Sequence, residues 1–400
     1  MSIAQQQKRL APGVTLFLLA SIIVSFVAAS AAPTPLYTIY QSRWHFSPVT
    51  TTAVFAVYAV AVLASLLTVG KLSDHVGRRP VLLAAIVVQI VSLVIFVLAG
   101  GVPALVAARI VQGLAAGTAT GAAAAAMLDV DRARGTLANS IAPGIGTGVG
   151  ALLSALLVQF LPAPTRLVYV VLIVVLLIQG VGVVLMGETV TPLAGALRSL
   201  RPEITLPRVV RGPLLVVAPV AFAVWALAGF FGALGPALVR ALMESSIVAG
   251  GLSIFVFAVF GSAAILVLRD APARRVMLIG IAALVLGMVI TLVSVRAESV
   301  AGFFVGLAFG GVGFGGGFQG SLKTVTPLVE AHERASVLSL LYIVCYVGFG
   351  LPTVVAGFLV VHGGGLRQTA EEYAVAVIVL AVVALLGLRG TGRTTRVSPR

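Results

Sequence analysis

Acid is what this sequence has least of. Twelve aspartates and glutamates stand against 26 lysines and arginines, and charged residues of both signs make up only 10% of the 400-residue chain. A soluble chain of this size carries about 25% charged residues to keep its surface wet. Hydrophobic residues reach 60% and mean hydropathy is +1.15. That is more apolar surface than one core can hide, so the natural solvent of the chain is lipid. Cysteine is nearly absent. Cys345 alone excludes an intramolecular disulfide and a cysteine metal site. The four histidines, His45, His75, His332 and His362, fall in four different loops without ligand spacing, which argues against zinc. No metal or cofactor is expected. The net charge of +14 raises the question of nucleic acid. The basic residues recur in short clusters between apolar runs, however, which is a membrane topology signal rather than a phosphate-binding patch.

What is present is a series of long apolar runs. A hydrocarbon core of about 30 Å takes roughly 20 helical residues to cross. On that ruler, spans are expected at 13–32, 49–69, 80–100, 103–127, 137–160 and 167–186. A polar stretch over 187–212 follows, and six more spans are expected at 213–238, 246–268, 276–294, 299–322, 336–361 and 373–388. The fold class is therefore all-α and integral to the membrane, with six-helix bundles at 13–186 and 213–388. A short segment at 1–12, the linker 187–212 and a tail at 389–400 lie outside them.

Charge sets the orientation. Arg43, Arg166, Arg240, Arg296 and Arg367 fall on one side. Every other basic residue outside the spans, including Lys71, Arg78, Arg79, Lys323 and the linker arginines Arg198, Arg201, Arg208 and Arg211, falls on the other. The positive side is the cytoplasmic side, so both termini are expected there, in a cell membrane. Lys8, Arg9 and the apolar run after them imitate a signal peptide. Cleavage would leave an odd number of spans and spoil this count, so the first run is read as a retained span.

The halves show traces of duplication. Asp74 with Arg78 and Arg79 is matched by Asp270 with Arg274 and Arg275. Arg134-Gly-Thr-Leu is matched by Arg334-Ala-Ser-Val, and Gln112-Gly113 by Gln319-Gly320. Internal repeats of this kind are common in transporter folds.

Between the second and third spans the chain reads Gly70-Lys71-Leu72-Ser73-Asp74-His75-Val76-Gly77-Arg78-Arg79-Pro80. This resembles the signature loop of the major facilitator superfamily in composition and in place. The resemblance extends to twelve spans with a central linker, and it implies two pseudo-symmetric bundles and a latch at Gly70, Leu72, Asp74, Gly77, Arg78 and Arg79 that sets the inward–outward equilibrium. Without it, Arg78 and Arg79 would read as membrane anchors and Asp74 as a solvated cap. In the fourth span Arg109-Ile-Val-Gln112-Gly113 resembles the family's second motif, which implies a part in proton or substrate movement. Arg109 has two physical options: to face a central cavity, or to snorkel to the nearer interface. Pro143-Gly144-Ile-Gly146-Thr-Gly148 in span five is similar to the family's antiporter motif, but Ala142 stands where its glycine precedes the proline. Helix packing or a kink is an equal reading there.

No acid lies deep in an expected span, and a deep carboxylate is the usual proton carrier of a pump. Protons remain the candidate coupling ion, with Asp74 and Arg109 the only candidates to carry the coupling. In the family, spans one, four, seven and ten line the substrate path. Ser25, Ser30, Gln112, Trp225 and Gln319 lie on them, and Tyr342 and Tyr346 could reach the same space from span eleven. Each taken singly is also ordinary packing. Together they suit a weakly polar or amphipathic small molecule. The expected activity is secondary transport, most simply export, by a monomer in contact with lipid. The alternatives are an uptake symporter or uniporter, a permease of another fold, a sensor without flux, and a membrane enzyme. For an enzyme, neither a phosphate-binding glycine loop nor a serine–histidine–acid set is present.

Overall fold

The computed structural model describes residues 10–202, 206–242, 246–330 and 333–391. Lys8, Arg9, Glu203, Glu244, His332, Arg393, Arg396 and Arg400 lie outside them, as does most of the expected terminal segments 1–12 and 389–400. The described residues form helices and no strand. In chain order they are α1 (Pro12–Ala31), α2 (Tyr37–Trp44), α3 (Pro48–Val69), α4 (Leu72–Val76), α5 (Arg78–Leu98), α6 (Val102–Val130), α7 (Arg132–Phe160) and α8 (Leu167–Leu185). Then follow α9 (Ala196–Ser199), α10 (Arg208–Ala233), α11 (Gly235–Leu242), α12 (Ile247–Val267), α13 (Ala273–Arg296), α14 (Val300–Val325), α15 (Arg334–His362) and α16 (Gly365–Thr391). Twelve of these are long and apolar enough to cross a membrane: α1, α3, α5 to α8, α10 and α12 to α16.

Local chemistry starts and stops the helices. Pro12 and Pro48 occupy first turns, where a missing N–H costs nothing. The Asp131 side chain caps α7 by accepting from the Arg134 N–H at 2.9 Å, and Ser299 caps α14 from the Gly302 N–H at 3.2 Å. Pro33 and Pro35 follow α1 and stop it. The seventh span ends earlier than expected, at Ala233, and the chain restarts as α11. Pro236 cannot donate, and its ring opposes the carbonyl four residues back. The last span starts earlier than expected, at Gly365, because a helix needs its hydrogen bonds rather than apolar side chains. Gln368 and Glu372, one turn apart, bond at 2.8 Å in a stretch that hydropathy alone reads as loop. The small helix α2, with only eight mixed residues, has no apolar run to mark it.

The chain divides into two compact units. Unit 1 holds residues up to Glu203 together with Ser246–Phe255; unit 2 holds Ile204–Ser245 and everything from Val256 onward. In unit 1, α7 lies against α1 through glycine: a Cβ at Gly146 would stand 2.6 Å from the Val24 carbonyl oxygen, and one at Gly150 would strike the Ala28 backbone. The start of α12 belongs to this unit through the same device, since a Cβ on Gly251 would come 2.5 Å from the Ala155 Cβ. In unit 2 the glycine-rich α14 is one continuous helix. Gly313, Gly316 and Gly320 lie on the α13 backbone at Leu284, Gly280 and Met277, so they permit close packing of the kind membrane helices use in place of a hydrophobic drive.

Candidate functional site

Three clusters gather nearly all the expected site residues. The first is the loop from Gly70 to Arg79. Gly70 ends α3, and Gly121 of α6 faces its backbone, where a Cβ would lie 3.4 Å from the Gly70 carbonyl. Leu72 opens α4 and is half-buried. Gly77 has φ +107°, a conformation that glycine adopts at no steric cost, and a side chain there would meet the Glu188 carboxylate. Arg78 is buried and held by two acids. Its Nη1 lies 2.5 Å from the Asp74 carboxylate and donates to Ser73 Oγ at 2.7 Å, while its Nε donates to Asp129 at 3.1 Å. Arg79 points the other way and donates to the Val183 and Val184 carbonyls at the end of α8.

The sequence reading missed the partner of this loop. The Glu188 carboxylate accepts from the backbone N–H groups of Arg78 at 2.8 Å and Arg79 at 3.1 Å. It therefore places a negative charge on the open N-terminus of α5, where the helix dipole favours one. Leu193 then donates its N–H to the Asp74 carbonyl at 3.1 Å, and Thr189 Oγ1 donates to Asp129 at 3.1 Å. Residues 188–193 are thereby stitched to the loop. Asp129 and Glu188 are each the first acid after a long apolar run, which is the only trace they leave in sequence.

The second cluster surrounds Arg109, which is fully buried and so does not snorkel. Its Nε donates to Tyr37 Oη at 2.8 Å, and its Nη1 donates to the Ser30 carbonyl at 2.8 Å and to Gln112 Oε1 at 2.7 Å. Gln112 in turn donates to the Ala29 carbonyl at 3.0 Å. The rings of Tyr37, Phe55, Tyr58 and Phe96 stand 5.1 to 6.0 Å from the guanidinium carbon. No carboxylate is within ion-pair distance among the described residues, and Nη2 has no partner. A cation is thus held by neutral oxygens and ring faces alone. Tyr58 donates to Ser30 Oγ at 2.8 Å, which brings Ser30 into the cluster. Gly113 sits where α6 meets α3, with a would-be Cβ 2.7 Å from the Tyr58 carbonyl. Burial pushes the Tyr37 phenol above its ordinary range against the opposing pull of Arg109, so it stays an O–H. Tyr40 next to it bonds Tyr169 at 3.2 Å and is pushed up by burial to about 12. Ser25 stands apart from Arg109 and accepts from Gln179 Nε2 at 2.9 Å.

The third cluster is in unit 2. Trp225 on α10 is ringed by Phe314 and Phe318 of α14 and by Tyr346 and Phe349 of α15, with centroids 5.0 to 5.9 Å away. Tyr342 joins through Phe318 and Tyr346, each at 6.4 Å. Gln319 is not in this ring system. Its amide donates to the Ile265 carbonyl at 3.0 Å. The three phenylalanines were missed because apolar residues in an apolar helix carry no signal of their own.

A family model described as the Major Facilitator Superfamily matches residues 17–271. Among solved structures, a bacterial homolog of the human lysosomal transporter Spinster, inward-facing and unoccupied, superimposes with a TM-score of 0.77. The match covers 97% of this chain and 99% of that one at 13% identity. Its occupied inward-facing form gives 0.72 over the same shares and at the same identity. A mutant of the nucleoside transporter NupG gives 0.75, covering 94% of this chain and 100% of that one, again at 13% identity. No curated protein sequence matches the chain.

Proposed function

Since the chain belongs to the major facilitator superfamily, a family of non-enzymatic membrane transporters for small molecules, we propose that it is an alternating-access secondary transporter. It exports a small, weakly polar or amphipathic organic solute, with protons as the coupling ion. Its moving parts are six-helix halves at 13–186 and 213–388, and it works as a monomer in a cell membrane with both ends cytoplasmic. Asp74, Gly77, Arg78 and Arg79 form the gating loop, and Arg109 and Gln112 belong to the coupling machinery. Ser25, Ser30, Trp225, Gln319, Tyr342 and Tyr346 border the solute path.

One observation carries this reading. Arg109, the fully buried cation of α6, is already engaged by neutral groups. Contrary to the expectation that no acid lies within a span, Glu371 and Glu372 fall in the first two turns of α16, but Glu371 is paired with Arg296 and Glu372 is exposed. A polyanion or an isolated cation would need opposite charges that are not there. The test is flux in proteoliposomes with an imposed pH gradient. Uphill movement of a weakly polar solute that collapses with the gradient supports proton-coupled export. Uphill movement that survives it removes the proton from the mechanism, and downhill-only movement makes the protein a uniporter.

A further inference from the structure

We infer that Gln319 and Lys323 are positioning residues: together they fix the register at which α14 rides on α12, and so hold unit 2 in this shape. The inference depends neither on the solute carried nor on the coupling ion. Gly311, Gly315, Gln319 and Lys323 recur every four residues along α14, so they share one face of that helix. Each meets a carbonyl of α12 or of the turn after it, and those carbonyls are four residues apart as well. A Cβ on Gly311 would strike the Phe257 carbonyl oxygen, and one on Gly315 would strike that of Gly261. Gln319 Nε2 donates to the Ile265 carbonyl at 3.0 Å. Lys323 Nζ donates to the Arg269 carbonyl at 2.5 Å, and to those of Leu268 and Ala271 at 3.3 and 2.9 Å.

The two halves of this seam differ in what they specify. The glycine half is backbone against backbone, with no side chain to interlock, and lipid supplies no hydrophobic drive to hold two helices in place. Nothing there opposes an axial shift by one turn. The polar half admits one register. The Ile265 carbonyl has lost its helical partner, because the Arg269 N–H turns to Leu266, and the carbonyls that end a helix attract a cation. Moved one turn towards the start of α12, the amide would face the Gly261 carbonyl, which lies inside that helix, and the ammonium would leave its three acceptors. Moved the other way, Lys323 would overrun them. The fold does not hang on these two side chains, since Gly313, Gly316 and Gly320 keep α14 on α13.

The test uses the purified full chain in lipid nanodiscs, with nitroxides on Val259→Cys and Val305→Cys. Both positions are exposed, and the native Cys345 is buried. Lys323 and its carbonyls lie about 13 Å or more from these labels along either helix. With both side chains in place the pair should give one narrow spin–spin distance. Lys323→Met, which keeps the apolar stem and removes the donor, should broaden that distance or shift it by as much as one turn, about 5 Å. Gln319→Leu removes one contact of the four and should disturb it less, and it tests the claim without touching the lysine. Thr324→Val, beside Lys323 but bonded to its own helix, should leave the distance narrow. A lysine that merely finishes the end of α12 would not move so distant a pair. An unchanged distance in either Lys323→Met or Gln319→Leu, or equal broadening in Thr324→Val, would overturn the inference.

Discussion

At the scale of single residues, the Arg109 cluster is explained by a proline. Pro33 has no N–H, so the Ala29 carbonyl four residues before it loses its helical partner. The Thr34 N–H turns to Ala31 instead, which leaves the Ser30 carbonyl open as well. Gln112 donates to the first and Arg109 to the second, so these two fully buried side chains finish the end of α1. Gln112→Leu should therefore cost about 1–2 kcal/mol in thermal unfolding, the penalty of a buried unpaired carbonyl. Restoring the donor with Pro33→Ala should shrink that cost by at least half. Equal costs in both backgrounds would separate glutamine from proline. Arg109→Lys should cost more, about 2–4 kcal/mol, because a buried ammonium cannot reach all three acceptors. The phenol of Tyr40 gives a pH effect of known sign. It is free to ionise near pH 10 in the unfolded chain but is held up to about 12 in the fold. Between those values the unfolded chain gives up a proton that the folded one keeps, so stability falls as pH rises, by about 2–3 kcal/mol. Below pH 10 this group contributes no slope. Unfolding midpoints from pH 9 to 12 should show the fall, and Tyr40→Phe should remove that share of it.

At the scale of elements, the loop before α5 is a joint between two segments. Glu188 caps the first N–H groups of α5, and the next residues pair with Asp74 and Asp129. Removing the carboxylate should free both sides together. Glu188→Ala should cost about 1–2 kcal/mol, and hydrogen exchange should speed up at Arg78, Arg79 and Leu193 while the middle of α5 stays protected. Faster exchange on one side only would show that the joint is two separate contacts. Here the limit of sequence reading is plain. Gly70 to Arg79 was legible because its spacing is local and its turn needs glycine. Asp129 and Glu188 come from about 50 and 110 residues further on, a distance at which sequence pattern says nothing about contact. The same holds for Arg109: its cost in lipid marked it, but of its three acceptors the Tyr37 hydroxyl lies 72 residues away and the Ser30 carbonyl is a backbone group that no residue type announces. The repeated motifs show the converse error. Asp270 pairs with its neighbour Arg269 rather than Arg274, and Gln319 bonds Ile265 on α12 whereas Gln112 bonds Ala29 on α1. Similar spelling in the two halves does not reproduce the same contacts.

For the whole molecule, the length of the apolar runs decided the fold. Each span needs every backbone group paired internally, which is why twelve helices were predictable from hydropathy alone and short α2 was not. The charges between spans carry the remaining information. On the side poor in basic residues, two of the five arginines are tied up locally: Arg296 with Glu371 at 2.9 Å and Arg367 with Glu298 at 2.9 Å. These are exposed pairs, and the positive-inside rule counts lysines and arginines rather than net charge, so the expected orientation still rests on the basic count alone. Cys345 is buried, so the native chain offers no accessible thiol to confuse a labelling experiment. Pro164→Cys in the turn before α8 and Thr191→Cys in the stretch after it sit at exposed positions on opposite ends of that span. In intact cells a membrane-impermeant maleimide should label the first at least tenfold faster than the second, and permeabilisation should equalise them. The reverse order would invert the chain in the membrane and place the Gly70–Arg79 loop on the opposite side from the one expected.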